Sequence, residues 1–122
     1  MKSSKKQCYA LWQAIVCERD KACVRCGNVP ISGHHVFGRN KMGSAFDPDS
    51  GLGICPECHD GWARLRPGEA KELLIRKIGI ERYEDLLRRS NQVYRMREYD
   101  FMRIAIELGV KLVEIREGND EN

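Results

Sequence analysis

Two C-x-x-C pairs, Cys23/Cys26 and Cys55/Cys58, limit what this chain can fold into more than any other feature. Two residues between thiolates let one tight turn present both sulfurs to a single ion, and two such turns complete a tetrahedral site. The chain has six cysteines, a number that in a secreted protein could form a disulfide framework. The basic start, Met1 to Lys6, is followed by an amphipathic segment and not by a signal-peptide core. The expected compartment is therefore the cytoplasm, where thiols stay reduced and paired C-x-x-C reads as structural Zn²⁺. Redox thiols, an iron–sulfur cluster and disulfides are the alternatives. Cys8 and Cys17 lack such a partner. Both read as helix residues, with Cys8 on the buried face as a small hydrophobe.

A length of 122 residues suits one domain, spanning 1–122. With 42% hydrophobic and 32% charged residues the chain is expected to be globular. No apolar run approaches the roughly 20 residues that span a bilayer, so no membrane partner is expected. Residues 1–66 hold ten Lys/Arg against six Asp/Glu, a balance of +4; residues 67–122 hold eleven against twelve, a balance of −1. The positive half also carries the cysteines and histidines, and a polyanion would be drawn there.

The expected architecture is α+β, in three stretches. In residues 1–20, Ser4-Lys5-Lys6-Gln7 has capping-box spacing. Cys8, Leu11, Trp12, Ile15 and Val16 then mark one apolar face of a helix ending near Arg19. In residues 21–66, Gly27 can take positive φ in the first knuckle and Asn28-Val29-Pro30 reads as a turn. Ile31 to Phe37 reads as a strand, Gly38 to Gly51 as a loop with a brief second strand, and His59 to Arg64 as the start of a helix stopped by Pro67. In residues 67–122, helices are expected over Pro67–Ile78, Ile80–Arg89 and Tyr94–Ala105, reaching at most Glu107. Gly109 should interrupt the last one. Val110–Ile115 reads as a strand or frayed end, and Gly118–Asn122 as a polar tail. These C-terminal helices could also pair two copies as a homodimer.

The three histidines, His34, His35 and His59, all lie between or beside the cysteine pairs. Adjacent strand residues point to opposite faces, so a regular strand cannot aim both His34 and His35 at one ion. One can ligate a metal while the other reaches a water. His59 directly follows Cys58, so a zinc staple would fix it. A strand ligand and a helix ligand then define a half-open metal site, with positions left for water and phosphate oxygens.

The run Cys23-x-x-Cys26, Gly33-His34-His35-Val36, Phe46-Asp47-Pro48-Asp49-Ser50-Gly51-Leu52, Cys55-x-x-Cys58-His59 resembles the His-Asn-His (HNH), or ββα-metal, nucleases, most closely zinc-containing phage and bacterial members. The resemblance covers residues 20–65. The helical tail more weakly resembles lambda NinG/Rap-type phage recombination proteins. The resemblance implies a zinc-stapled ββα-metal core flanked by helices. It implies His34 and His59 as ligands of a catalytic divalent metal and His35 as general base, with a pKa near 6.5 suited to that role. Ser50, with Asp49 beside it, fills the slot where the family has a loop-pinning asparagine. Ala63 stands where some members carry a third metal-binding histidine. Arg39, Lys41 and Arg64 are near enough in sequence to clamp phosphates. The implied metal is Mg²⁺ or Mn²⁺, with Zn²⁺, Ni²⁺ or Co²⁺ also compatible with imidazole. The implied activity is hydrolysis of DNA phosphodiester bonds, with branched or recombination intermediates in phage DNA metabolism as a candidate substrate. A non-catalytic zinc-stabilised DNA-binding module is the alternative; a redox or purely structural zinc protein is the second one.

Overall fold

The structure, a computed structural model, describes residues 3–120 and the side chains as far as residue 118. Met1 and Lys2, at the basic start, and the end of the expected polar tail at residues 121–122 lie outside the described residues. The fold is α+β, with helix α1 (Ser4–Asp20), strand β1 (Ser32–His35), strand β2 (Gly51–Ile54), one turn of helix α2 (Pro56–Cys58), and helices α3 (Pro67–Ile78), α4 (Ile80–Ser90) and α5 (Glu98–Asp120). A 3-10 turn, Pro48–Ser50, leads into β2, and α2 continues as a π-helical turn, His59–Ala63. Among the described residues, no helix is long and apolar enough to cross a membrane.

The two strands pair antiparallel, with Ser32 opposite Ile54, Gly33 opposite Gly53, His34 opposite Leu52 and His35 opposite Gly51. Side chains alternate faces along a strand. One face of the hairpin therefore carries Gly33, His35, Gly51 and Gly53, and the other carries Ser32, His34, Leu52 and Ile54. The glycine face is nearly bare, and α1 lies against it. A Cβ at Gly51 would come within 2.3 Å of Trp12 Cζ2, and one at Gly33 within 2.6 Å of Cζ3. No residue with a side chain fits at either position. The opposite face meets a core of Leu52, Ile54, Trp62, Leu74 and Tyr83 that also takes in Cys23, Cys55 and Cys58. A second core, on the α1 side, joins Cys8, Trp12, Ile15 and Val16 to Phe46 and to Phe101, Leu108 and Leu112 of α5. Cys8 is fully buried, as the periodicity implies, and its thiol donates to the Phe101 carbonyl at 3.1 Å.

Five local expectations are corrected, the first being that the second strand lies at Gly51–Ile54 and not within the Gly38–Gly51 loop. The N-cap of α1 is Ser3, whose hydroxyl accepts from Lys6 N at 3.2 Å; Ser4 is already helical, and its N–H donates to Glu98 Oε1 at 2.9 Å. The first strand is four residues long and not seven, because Val36 bonds to the Ser50 carbonyl beyond the paired ladder and Gly38 turns the chain at φ 103°. The segment after Cys58 is π-helical, with Arg64 N bonding to the His59 carbonyl at 3.1 Å. Finally, α5 starts at Glu98 and passes through Gly109 without a break to Asp120, so Val110–Ile115 is helix. A mid-helix glycine costs about 1 kcal/mol. Burial of Leu108 and Leu112 on either side of it, at roughly 1.5–3 kcal/mol each, more than offsets that.

The end of α1 ties the hairpin down. Arg19 donates to the Pro48 and Gly51 carbonyls, both at 2.8 Å, and Asp20 Oδ2 accepts from Gly53 N at 2.7 Å. The Asp20 side chain is 3% exposed and also pairs with Arg19 and Lys77. Burial opposes its charge, but the bonds from Arg19, Lys77 and Gly53 outweigh this and hold its carboxyl below the ordinary range.

Two outcomes are expected in thermal melts. Gly51→Ala should destabilise the fold by about 1–3 kcal/mol through overpacking against Trp12; a wild-type melting temperature would contradict the close approach. Asp20→Asn should cost about 1–3 kcal/mol at neutral pH. Because the folded carboxyl is depressed, this contribution is present above the ordinary value and is lost as pH falls below about 4. The gap between wild type and variant should therefore narrow in acid, and a constant gap would exclude Asp20 as its source.

Candidate functional site

The four C-x-x-C sulfurs, contributed by the loop after α1 and by the junction of β2 with α2, all lie within 4.8 Å of one another. Four thiolates at about 2.3 Å from one tetrahedral ion stand about 3.8 Å apart, and Cys26 Sγ and Cys55 Sγ are 3.6 Å apart. The cluster could thus hold a structural metal such as zinc. Gly27 at φ 81° lets the first turn close, as expected from sequence. In the second turn Cys58 N points to Cys55 Sγ at 3.5 Å. Burial opposes ionisation of Cys23, but backbone N–H groups outweigh it and hold its thiol at about 6. Burial and the neighbouring thiols push Cys58 up to about 12, although Arg25 Nη1 lies 3.6 Å from its sulfur. Four sulfurs this close cannot all carry negative charge without a cation among them, which is the chemistry of a zinc site.

All three histidines line one open pocket of about 520 Å³, together with Arg39, Tyr9 and Gln13. The His34 and His59 rings meet edge to face with centroids 5.2 Å apart. Edge-to-face contact at this distance is an ordinary packing of two imidazole rings. Burial and the nearby His59 lower the pKa of His34, which favours the neutral ring. His59 Nδ1 lies 3.3 Å from Asp60 Oδ1, a contact that does not involve Nε2. Ala63 is buried in the hairpin core and supplies no third ligand.

His35 sits on the other face of the strand, stacked on Trp12 with ring centroids 3.7 Å apart and 10° between planes. Its Nε2 is 3.0 Å from the Ala45 carbonyl. A carbonyl only accepts, so Nε2 carries the hydrogen and Nδ1 keeps a free lone pair. The ordinary pKa expected from sequence is corrected. Burial against Trp12, with Arg39 and His34 nearby, outweighs the bond to Ala45 and pushes His35 down to about 4. The ring is neutral at pH 7.

Ser50 is buried where its hydroxyl has two carbonyls at 2.7 Å, those of Ser44 and Asp47, and can donate to either one. It spans the loop between the strands. Asp49 does not line the histidine pocket and accepts from Arg82 Nε at 3.0 Å. Arg39 lies over the Tyr9 ring at 4.3 Å, and Tyr9 donates its hydroxyl to the Arg39 carbonyl at 2.9 Å. Lys41 is exposed and does not line the pocket; nor does Arg64, which pairs with Asp60 at 3.8 Å.

The sequence reading gives no site role to Trp12, Tyr9, Gln13, Asp47 or Asp60. Trp12 reads as an ordinary core residue, yet its Nε1 donates to the Asp47 carbonyl at 2.9 Å while its face supports His35. Gln13 brackets Gly33, donating to its carbonyl at 2.9 Å and accepting from its N–H at 2.7 Å. The Asp47 carboxylate takes Arg82 at 2.5 Å and Arg89 at 3.2 Å, anchoring the loop to α4. Bare hairpin glycines beside an aromatic helix position are the one sequence signal that could have pointed to Trp12.

Comparison with known families, with curated proteins and with solved structures finds nothing that matches.

Purified protein is expected to carry zinc at one equivalent per chain in elemental analysis. Cys26→Ser should lower both zinc content and melting temperature. Zinc-free protein that melts at the same temperature would remove the staple from the account.

Proposed function

We propose that this chain is a metal-dependent endonuclease of the HNH, ββα-metal type that hydrolyses DNA phosphodiester bonds. The observation that carries the reading is the convergence of His34, His35, His59 and Arg39 on one open pocket, with the two outer histidines as a pair and His35 apart from them. A general base and a metal pair in separate positions suit attack on a phosphate by water.

In this reading His34 and His59 would hold a divalent ion, Mg²⁺ or Mn²⁺, with Asp60 orienting His59. The ion would stabilise the charge that develops on the phosphate and on the leaving oxygen. The Nδ1 lone pair of His35 takes a proton from water as the water oxygen bonds to phosphorus and the ester P–O bond breaks. Its low affinity for protons keeps it available as an acceptor, and a phosphate brought into the pocket raises that affinity. Trp12 and the Ala45 carbonyl hold the ring so that one nitrogen is committed and the other is free. Arg39, braced by Tyr9, meets a phosphate oxygen. The surplus positive charge of residues 1–66 draws the duplex to this half of the chain.

The test is plasmid nicking with Mg²⁺ or Mn²⁺, alongside a DNA gel shift. His35→Ala should lower the cleavage rate by about 10²–10⁴-fold while leaving binding intact. His34→Ala and His59→Ala should abolish the metal dependence. Binding without cleavage in the wild type would favour the DNA-binding module. Equal cleavage by wild type and His35→Ala would remove His35 as the base. Branched substrates assayed beside linear ones test the recombination-intermediate reading, which equal binding to both would count against.

A further inference from the structure

Helix α5 buries one face against α1 and leaves the opposite one uncovered. Phe101, Leu108 and Leu112 are buried, whereas Tyr99, Met102, Ile106, Val110 and Val113 are between 53% and 71% exposed. At 3.6 residues per turn these five fall on one side of the helix, and Tyr99, Ile106 and Val113 recur every seven residues. The stripe runs about 21 Å along the axis. Gly109 lies on the same side, where an added Cβ would meet nothing within 4 Å, so another helix could approach closely there. Scattered exposed apolar residues are ordinary; a continuous stripe along one helix face is the mark of an interface.

The charges beside the stripe say what covers it. Arg103 and Glu114 flank it on one side, and Glu98 and Arg116 on the other. When two copies of α5 pack antiparallel about their midpoint, near Leu108, Arg103 of one copy comes opposite Glu114 of the other. Glu98 likewise comes opposite Arg116. Two-fold symmetry repeats each pair, giving four contacts of opposite sign. The same register sets Met102 against Val113 and Ile106 against Val110. Within the chain, Arg103 pairs with Glu107, Arg116 pairs with Glu18, and Glu98 accepts from Ser4 N. The two arginine pairs are exposed ion pairs of the kind that exchange partners easily.

We infer that the exposed face of α5 is a dimer interface, on which a second copy of this chain packs its own α5 antiparallel. The inference stands apart from the nuclease reading and does not use the histidine pocket. Where both hold, the dimer carries two pockets.

Analytical ultracentrifugation of the full chain tests it. The wild type should sediment at twice the chain mass of 14.0 kDa. Ile106→Glu should sediment as a monomer with its helical circular dichroism and melt retained, since Ile106 is exposed. Arg103→Glu and Glu114→Arg should each weaken the dimer, and the double variant should restore it, because antiparallel pairing then only exchanges the signs. Should Ile106→Glu fail to fold, the charge exchange decides. A monomeric wild type at all concentrations, or a dimer indifferent to Ile106→Glu, would overturn the proposal. Failure of the double variant to recover would overturn the antiparallel register. A monomer that floats with lipid vesicles would reassign the stripe to a membrane surface and equally overturn it.

Discussion

The contact between Trp12 and the bare face of the β-hairpin is the constraint on which the other parts depend. An indole can lie flat on two strands only where the strands offer no side chains, and Gly33 and Gly51 provide that clearance. Once seated, the ring acts in three ways. It fills the core shared with α5, its N–H secures the Asp47 carbonyl in the loop before β2, and its face stacks on His35. Packing, loop geometry and the burial of a pocket histidine thus all draw on one residue. Arg19 and Asp20, two turns further along α1, bond to the backbone of β2 and fix the angle at which the helix crosses.

The opposite face of the hairpin works by a different kind of closure. Leu52 and Ile54 bury against Trp62 and Leu74, and the four cysteines sit at the edge of that core. A metal bridging both C-x-x-C turns would tie the start of the π-helical turn, and with it His59, to the loop after α1. The hairpin therefore separates two supports, aromatic on one face and thiolate on the other, and the histidine pocket opens where β1 runs out between them. This arrangement accounts for the opposite surroundings of adjacent residues: His34 turns to His59, and His35 turns to Trp12.

The candidate site was legible where chemistry depends on spacing. Cys23/Cys26 and Cys55/Cys58 announce a shared cluster, and the alternation of a strand separates His34 from His35 by local geometry alone. Helix periodicity likewise located α1, α3 and α4 closely, since each buries an apolar stripe at regular intervals. The reading failed where long-range packing outweighs local preference. Gly109 signals a break, yet α5 continues because Leu108 and Leu112 are held by α1. The ordinary titration expected of His35 is displaced by an aromatic ring 23 positions earlier in the chain. Nothing local to Asp47 indicates that α4 would reach back to it through Arg82 and Arg89.

By itself the sequence determined the thiol cluster, the division into helical ends around a small hairpin, and the opposed directions of His34 and His35. Each of these follows from covalent spacing or from the period of a single element, which no distant contact can change. Only the tertiary structure decided that His34 and His59 meet, that Trp12 rather than a polar neighbour supports His35, and that Arg39 joins the pocket while Lys41 and Arg64 do not line it. These depend on where separate elements cross, and the crossing is set by which side chains leave room. Here the room is made by glycines, whose lack of a side chain says nothing until the residue that occupies the space is known.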